Sequence, residues 1–207
     1  MLPYRAAVRT IRPAELADVD AIARAHARAF FDDPLQVWAL PDAGTRQNLL
    51  EQMFTLLLRV VCVPRGTTWT DAERVSAALW VPPGSWGATL TPEQGRELAT
   101  LERALDAATL HRLGQINAVM HAAHPTPPHW YLQGLGTDPD FQRQGRASAV
   151  LTPVLELADA SAAPAYLECT KATNVAFYES HGFAVTGTIT VPDGGPTLWT
   201  MWREPRA

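Results

Sequence analysis

Residues 135–148 read LGTDPDFQRQGRAS. This segment passes from an apolar strand pattern through a turn that contains Gly145 into the start of a helix. Backbone N–H groups of residues 143–147 would point into such a turn, and the helix N-terminus adds about half a positive charge. Gly145 lets the backbone approach a phosphate closely, and Ser148 can donate from its hydroxyl. The segment therefore predicts an anion-binding turn, with a plain strand-to-helix connection as the alternative.

The turn does not match the common nucleotide-binding patterns. The pattern G-x-x-x-x-G-K-[ST] is absent, and the match to G-x-G-x-x-G is poor. The loop therefore favours neither a nucleoside triphosphate nor a dinucleotide.

Strand and helix patterns alternate on the C-terminal side of residue 129, and this alternation predicts a mixed α/β sheet. The strands are expected at 129–137, 164–170, 183–191 and 198–203, and the helices at 145–160 and 173–181.

The N-terminal part predicts a strand, two helices and a hairpin, followed by a helical insert at about 91–128. A strand is expected at Val8–Ile11, with Pro13 starting a helix that Asp32-Asp33-Pro34 ends. The second helix is expected at Arg46–Val61. The hairpin strands are expected at Thr67–Thr70 and Val75–Val81, and the first insert helix is expected from Thr91 to about Asp106. His111–Ala123 is expected to be helix or irregular turn.

Length and composition limit the class of protein. The 207 residues are 47% hydrophobic, which suits one domain covering 1–207. Seventeen basic residues against 21 acidic ones give a net charge of −4, too acidic for a typical nucleic-acid-binding protein. The apolar run Leu56–Val63 is too short to span a membrane, and residues 1–10 lack a signal-peptide core. Cys62 and Cys169 have no zinc-site spacing, so we expect two reduced thiols, no metal and a cytoplasmic location.

Two motifs carry a resemblance to a known family. Gln142-x-x-Gly145-x-Ala147 resembles the Q/R-x-x-G-x-G/A pyrophosphate loop of the GNAT superfamily of N-acetyltransferases, and residues 174–183, NVAFYESHGF, resemble its second motif. Segments at 129–132, 164–170 and 191–196 are further similar to puromycin N-acetyltransferase-like actinobacterial members. The resemblance implies a GNAT fold with about six to seven strands and acetyl-CoA as cofactor.

The resemblance also implies which residues contact the cofactor. They are Leu135, Gly136, Thr137, Gln142, Arg143, Gln144, Gly145, Arg146, Ala147, Ser148, Asn174 and Tyr178. Lys171 stands where many members have an asparagine that contacts the cofactor, so the role of Asn174 in that contact stays open.

Direct attack of an amine on a thioester needs a base for the amine proton and an acid for the departing thiolate. The resemblance makes Tyr178 the acid, and its phenol is protonated at neutral pH. The alternative for Tyr178 is an aromatic side chain that only packs in the core.

The base is less clear from the sequence. Strand alternation places His129, Tyr131, Gln133 and Leu135 on one face. Family members with a base on this strand have it at the positions of Tyr131 or Gln133, and neither side chain is a good base. The remaining carboxylates are Glu168 on the next strand, and Asp32 or Asp33 acting through water. The candidate substrate-binding residues are Phe31, Asp32, Asp33, Tyr131 and Gln133.

These residues favour transfer of an acetyl group from acetyl-CoA to a primary amine of a small molecule, by a monomer or homodimer. One alternative is a CoA-binding sensor that has lost turnover. Another is an enzyme that acetylates peptide or protein amines, which would need an open groove that the 91–128 insert can narrow.

Overall fold

A computed structural model describes residues 10–87 and 91–206. Its centre is a sheet of seven strands in the order β1-β2-β3-β4-β5-β7-β6. The strands are β1 (Ile11–Pro13), β2 (Thr68–Asp71), β3 (Ser76–Val81), β4 (Trp130–Thr137), β5 (Ala165–Cys169), β6 (Ala184–Thr190) and β7 (Thr197–Arg203). β4 and β5 run parallel, and the other neighbours are antiparallel. The predicted mixed sheet is confirmed.

Helices cover both faces of this sheet. They are α1 (Val19–Ala29), α2 (Pro34–Ala39), α3 (Ala43–Leu57), α4 (Pro92–Arg103), α5 (Ala107–Ala123), α6 (Arg146–Ala160) and α7 (Ala172–Ser180). One face packs apolar side chains of α1 and α3 against Ala77 and Leu79, and the other packs α6 against Ala78 and Trp80. Within the described ranges, no helix is long and apolar enough to cross a membrane.

Several predicted boundaries shift because of local capping. The first described strand ends at Pro13, and a 3-10 turn at Leu16–Asp18 precedes α1. Residues 8 and 9 of the predicted first strand lie outside the described residues. Asp33 accepts a hydrogen bond from Leu35 N at 3.0 Å and so begins α2, which the sequence analysis did not predict.

The insert is formed by two helices. The predicted capping box at Thr91 begins α4, as expected. Asp106 does not lie in this helix: its carboxylate accepts from Thr109 N at 2.8 Å and caps α5. The sequence analysis left 111–123 open between helix and irregular turn, and it is helix.

A bulge in β4 decides which side chains share a face. Leu79 pairs with Gly134 and Trp80 with Leu132, so Gln133 is an extra residue opposite β3. Because one extra residue reverses the alternation, Leu135 turns away from Tyr131 and packs with the α6 cluster. The prediction that Leu135 shares a face with His129, Tyr131 and Gln133 is therefore wrong.

The sheet splits between β4 and β5 after Tyr131, just before the bulge. The parallel pairs of β4 and β5 are Trp130 with Ala165 and Tyr131 with Tyr166, and beyond them the two strands separate. The carboxyl-terminal halves of β4 and β5 therefore border a gap.

Gly136 allows α1 to approach this part of β4. A Cβ atom at Gly136 would lie 2.9 Å from the ring of His26, which is fully buried in α1. The Nδ1 of His26 lies 3.1 Å from the Ile22 carbonyl oxygen, and burial lowers the pKa of His26 to about 4. A neutral, fixed imidazole therefore occupies the space that a side chain at Gly136 would need.

We expect Gly136→Ala to lower the free energy of unfolding by about 1–3 kcal/mol, the usual cost of overpacking. Gly134→Ala is the matched control, because its Cβ would contact Leu79 at an ordinary 3.7 Å. Urea unfolding of both variants measures the difference. Equal stability of the two variants would contradict the close contact with His26.

Candidate active site

A cavity of about 890 Å³ occupies the gap between β4 and β5. Residues 132–137 of β4, residues 167–169 of β5 and the start of α7 form one side of it. Side chains of α3, α4 and α5 form the opposite side.

The turn after β4 lies at one edge of this cavity. A 3-10 turn at Pro139–Phe141 follows the strand, and Gln142 Nε2 donates to the Thr137 carbonyl oxygen at 3.1 Å. Arg143 and Gly145 both adopt the left-handed region, with φ of 58° and 74°. Because α6 begins directly afterwards, the N–H groups of its first turn have no acceptor within the helix. The start of α6 therefore presents N–H groups without intrahelical acceptors beside the turn.

The side chain of Arg146 fixes this turn to the β2–β3 hairpin. Its guanidinium is buried and pairs with Asp71 and Glu73, and it lies 5.1 Å above the Phe141 ring. The side chain of Arg146 is therefore fully used in contacts within the protein, and only its backbone N–H is available to a ligand.

The predicted cofactor residues divide into two groups. Those that line the cavity are Leu135, Gly136, Thr137, Gln142, Asn174 and Tyr178, and Lys171 lines it beside Asn174. The other six, residues 143–148, form the turn and the first residues of α6.

Glu168 lies on the cavity wall without a hydrogen-bond partner. Both carboxylate oxygens are shielded from solvent and unpaired in the described chain. Burial raises the pKa of Glu168 from 4.5 to about 7. The nearby hydroxyls of Tyr131 and Tyr166 favour its ionised form, but neither makes a hydrogen bond of standard geometry to it. Glu168 is thus a carboxyl group that can exchange a proton near neutral pH.

A layer of aromatic side chains surrounds these tyrosines, and the sequence analysis did not anticipate it. His124, from the end of the insert, stacks on Trp86 at 4.2 Å and meets Tyr131 edge-on at 4.9 Å. His129 Nδ1 donates to the Pro127 carbonyl oxygen at 2.6 Å, so its Nε2 accepts from His124 Nε2 at 3.1 Å. Burial lowers the pKa of His124 to about 4. Both imidazoles are therefore neutral at pH 7 and supply no positive charge to Glu168.

Tyr178 and Asp33 also line the cavity. Tyr178 packs edge-on against Phe183, and burial raises the pKa of its phenol, which stays protonated at neutral pH. Asp33 is buried and accepts from Leu35 N and Thr170 Oγ1. Burial raises the pKa of Asp33 as well.

The five predicted substrate-binding residues do not all reach the cavity. Asp33, Tyr131 and Gln133 line it. Asp32 is exposed, and Phe31 lies under the Arg46 guanidinium at 5.0 Å, so neither is part of the wall. The sequence could not separate Asp32 from Asp33, because the capping of α2 decides which carboxylate turns inward.

Comparison with known proteins agrees with this geometry. The model of the acetyltransferase (GNAT) family matches residues 97–183, which include the turn, Glu168 and Tyr178. This part of the chain is similar to GNAT acetyltransferases. The solved structures similar to this chain include a Corynebacterium glutamicum protein named "histone acetyltransferase HPA2 and related acetyltransferase". That structure has a TM-score of 0.71 and 25% identity, over 96% of this chain and 97% of the other.

Two more distant structures share the GNAT fold. The Drosophila melanogaster polyamine N-acetyltransferase has a TM-score of 0.56 and 15% identity, over 95% of this chain and 99% of its own. The Aedes aegypti arylalkylamine N-acetyltransferase 2 has a TM-score of 0.57 and 14% identity, over 97% of this chain and 100% of its own.

The raised pKa of Glu168 gives a pH-dependent test of the site. Its pKa is higher in the folded chain than the ordinary 4.5, so its contribution to stability is complete below about pH 4.5 and is lost as the pH rises through about 7. Glu168→Gln, which mimics the protonated form, should therefore gain melting temperature relative to the wild type between pH 4.5 and pH 8. Melting curves of both proteins across this range measure the change. A constant difference would contradict an unpaired buried carboxylate.

Proposed function

We propose that this chain is a GNAT enzyme that depends on acetyl-CoA and moves an acetyl group to a primary amine of a small molecule by direct attack. The observation that carries the proposal is the gap between β4 and β5. Free N–H groups lie at one edge of it, and an unpaired carboxyl group lies on its wall.

The residues around the gap fit acetyl-CoA. N–H groups of residues 143–148 and the positive end of α6 would hold the pyrophosphate. Beyond Tyr131, the edge of β4 that faces β5 has backbone groups free to pair with the amides of an extended ligand. Asn174 and Lys171 would contact the same ligand from α7. When bound, acetyl-CoA supplies an activated thioester.

Two side chains would move protons in this reaction. Glu168 would accept the amine proton at a carboxylate oxygen, because its pKa of about 7 makes both forms available near neutral pH. Tyr178 would donate its phenolic proton to the departing sulfur. Asp33, which lines the cavity and is protonated more readily than usual, is the alternative base acting through water.

The walls of the cavity support a small acceptor. A peptide lying against the apolar side chains of α4 and α5 would leave its backbone amides without partners, at a cost of about 1–3 kcal/mol for each. The structural neighbours named for agmatine, polyamine and arylalkylamine acetylation support an amine acceptor in general.

The proposal also includes the subtype, the domain organisation and the location of the protein. The segments similar to puromycin N-acetyltransferase-like members support that subtype but do not determine the acceptor. We take residues 1–207 as one N-acetyltransferase domain, acting as a monomer or homodimer. The free, buried thiols of Cys62 and Cys169 support a reducing, cytoplasmic location.

We expect Gly145→Glu to abolish CoA binding, because it places a negative side chain where the pyrophosphate would lie. Gly194→Glu is the matched control: Gly194 also has positive φ, at 78°, and a Cβ there meets no neighbour, but it lies in the β6–β7 turn. Calorimetric titration with CoA measures both variants. Normal binding by Gly145→Glu would exclude the turn as the phosphate site.

We expect Tyr178→Phe to lower turnover by about 100-fold or more and to change CoA affinity by no more than a few-fold. The substitution keeps the ring that packs on Phe183 and removes only the proton donor, which is needed as the thiol departs. Steady-state turnover and CoA titration provide the two measurements. Unchanged turnover, with product release shown to be fast, would assign Tyr178 to packing alone.

A further inference from the structure

The cavity has two chemically different ends. One end lies between the split strands, where the backbone of β4, the turn and the start of α7 are polar. The other end, which we call the acceptor chamber, lies between α3 and the insert helices α4 and α5. The lining of this second end identifies the class of acceptor, an inference that rests on the proposed function.

Most side chains at the insert end of the cavity are apolar. Met53 and Leu57 of α3 face it from one side, and Leu98, Leu101, Ile116 and Met120 of α4 and α5 face it from the other. Three polar side chains of the insert also line the cavity: Gln94, Asn117 and His121. Gln94 is already occupied, because it accepts from Thr91 N at 2.8 Å and donates to the Val60 carbonyl oxygen at 3.0 Å. Asn117 and His121 carry no negative charge. A ligand in this end would therefore lie mainly against hydrocarbon and would meet no carboxylate of α3, α4 or α5.

The charged side chains of the lining lie outside the acceptor chamber. Among the described residues that line the cavity, the charged ones are Asp33, Glu168 and Lys171, and none of them lies on α3, α4 or α5. A second ammonium group on the acceptor would be moved out of water against leucine and methionine side chains, with no carboxylate to pair with it.

We propose that the acceptor is a primary monoamine with an apolar body. Its amine lies at Glu168, and its hydrocarbon part lies between α3 and the insert helices. The same lining disfavours polyamines and other acceptors with a second cationic group, because it offers that group no carboxylate.

The test compares each n-alkylamine of four to eight carbons with the terminal diamine of equal length, using acetyl-CoA and detection of released thiol. We expect kcat/KM to rise about fourfold for each added methylene until the chamber is filled. Each monoamine should exceed its diamine at least tenfold. A flat series, or diamines that equal the monoamines, would overturn the proposal.

Three variants test whether the lining of the acceptor chamber causes the difference between monoamines and diamines. Leu101→Glu adds a carboxylate to the apolar wall and should shift the monoamine-to-diamine ratio toward diamines by at least tenfold. Leu101→Gln has the same size without the charge and should leave the ratio within about twofold of the wild type. Leu110→Glu is the control for a new acid on the insert, because Leu110 lies outside the cavity wall and is 38% exposed. An equal shift in all three variants would overturn the proposal.

Binding separates this inference from the proposed function. Calorimetric titration of the CoA-loaded protein with hexylamine and with 1,6-diaminohexane needs no turnover. Tenfold tighter binding of hexylamine without acetyl transfer would support the apolar chamber and reject the proposed reaction. Equal binding of the two amines would reject the chamber even if amines are acetylated.

Discussion

The early end of the β4–β5 pairing is the constraint on which the rest of this structure depends. Two parallel strands that pair at only two positions must separate, and the separation leaves one edge of β4 without a sheet partner. The bulge at Gln133 lies immediately beyond the last pair and changes which residues face each side. The gap and the free strand edge therefore follow from the early end of this pairing.

This irregularity requires support from both faces. On one side, α1 approaches closely because Gly136 leaves room for the neutral ring of His26. On the other side, Leu135 joins the α6 cluster, and the Arg146 guanidinium holds the turn to Asp71 of the neighbouring hairpin. The turn is thus positioned by packing and a buried ion pair, and its backbone N–H groups are left for a ligand.

The electrostatics of the site follow from burial among neutral groups. Glu168 lies near the hydroxyls of Tyr131 and Tyr166, and the nearby imidazoles of His124 and His129 are uncharged because burial lowers their pKa values. A cation in this layer would lower the pKa of Glu168 and weaken it as a base. The insert contributes both His124 and the apolar helices, so one segment shapes the acceptor chamber and the surroundings of the carboxyl group.

The sequence by itself determined the features that depend on neighbouring residues. The glycine-containing turn, the capping box at Thr91 and the alternation of strands and helices are local patterns, and each is present in the structure. Only the tertiary structure decided the bulge at Gln133, the inward orientation of Asp33 and the unpaired state of Glu168. These depend on contacts between segments far apart in the chain, such as Thr170 with Asp33 and His124 with Tyr131. Periodicity describes which residues alternate, but a single inserted residue reverses that order, and burial depends on which distant side chains come together.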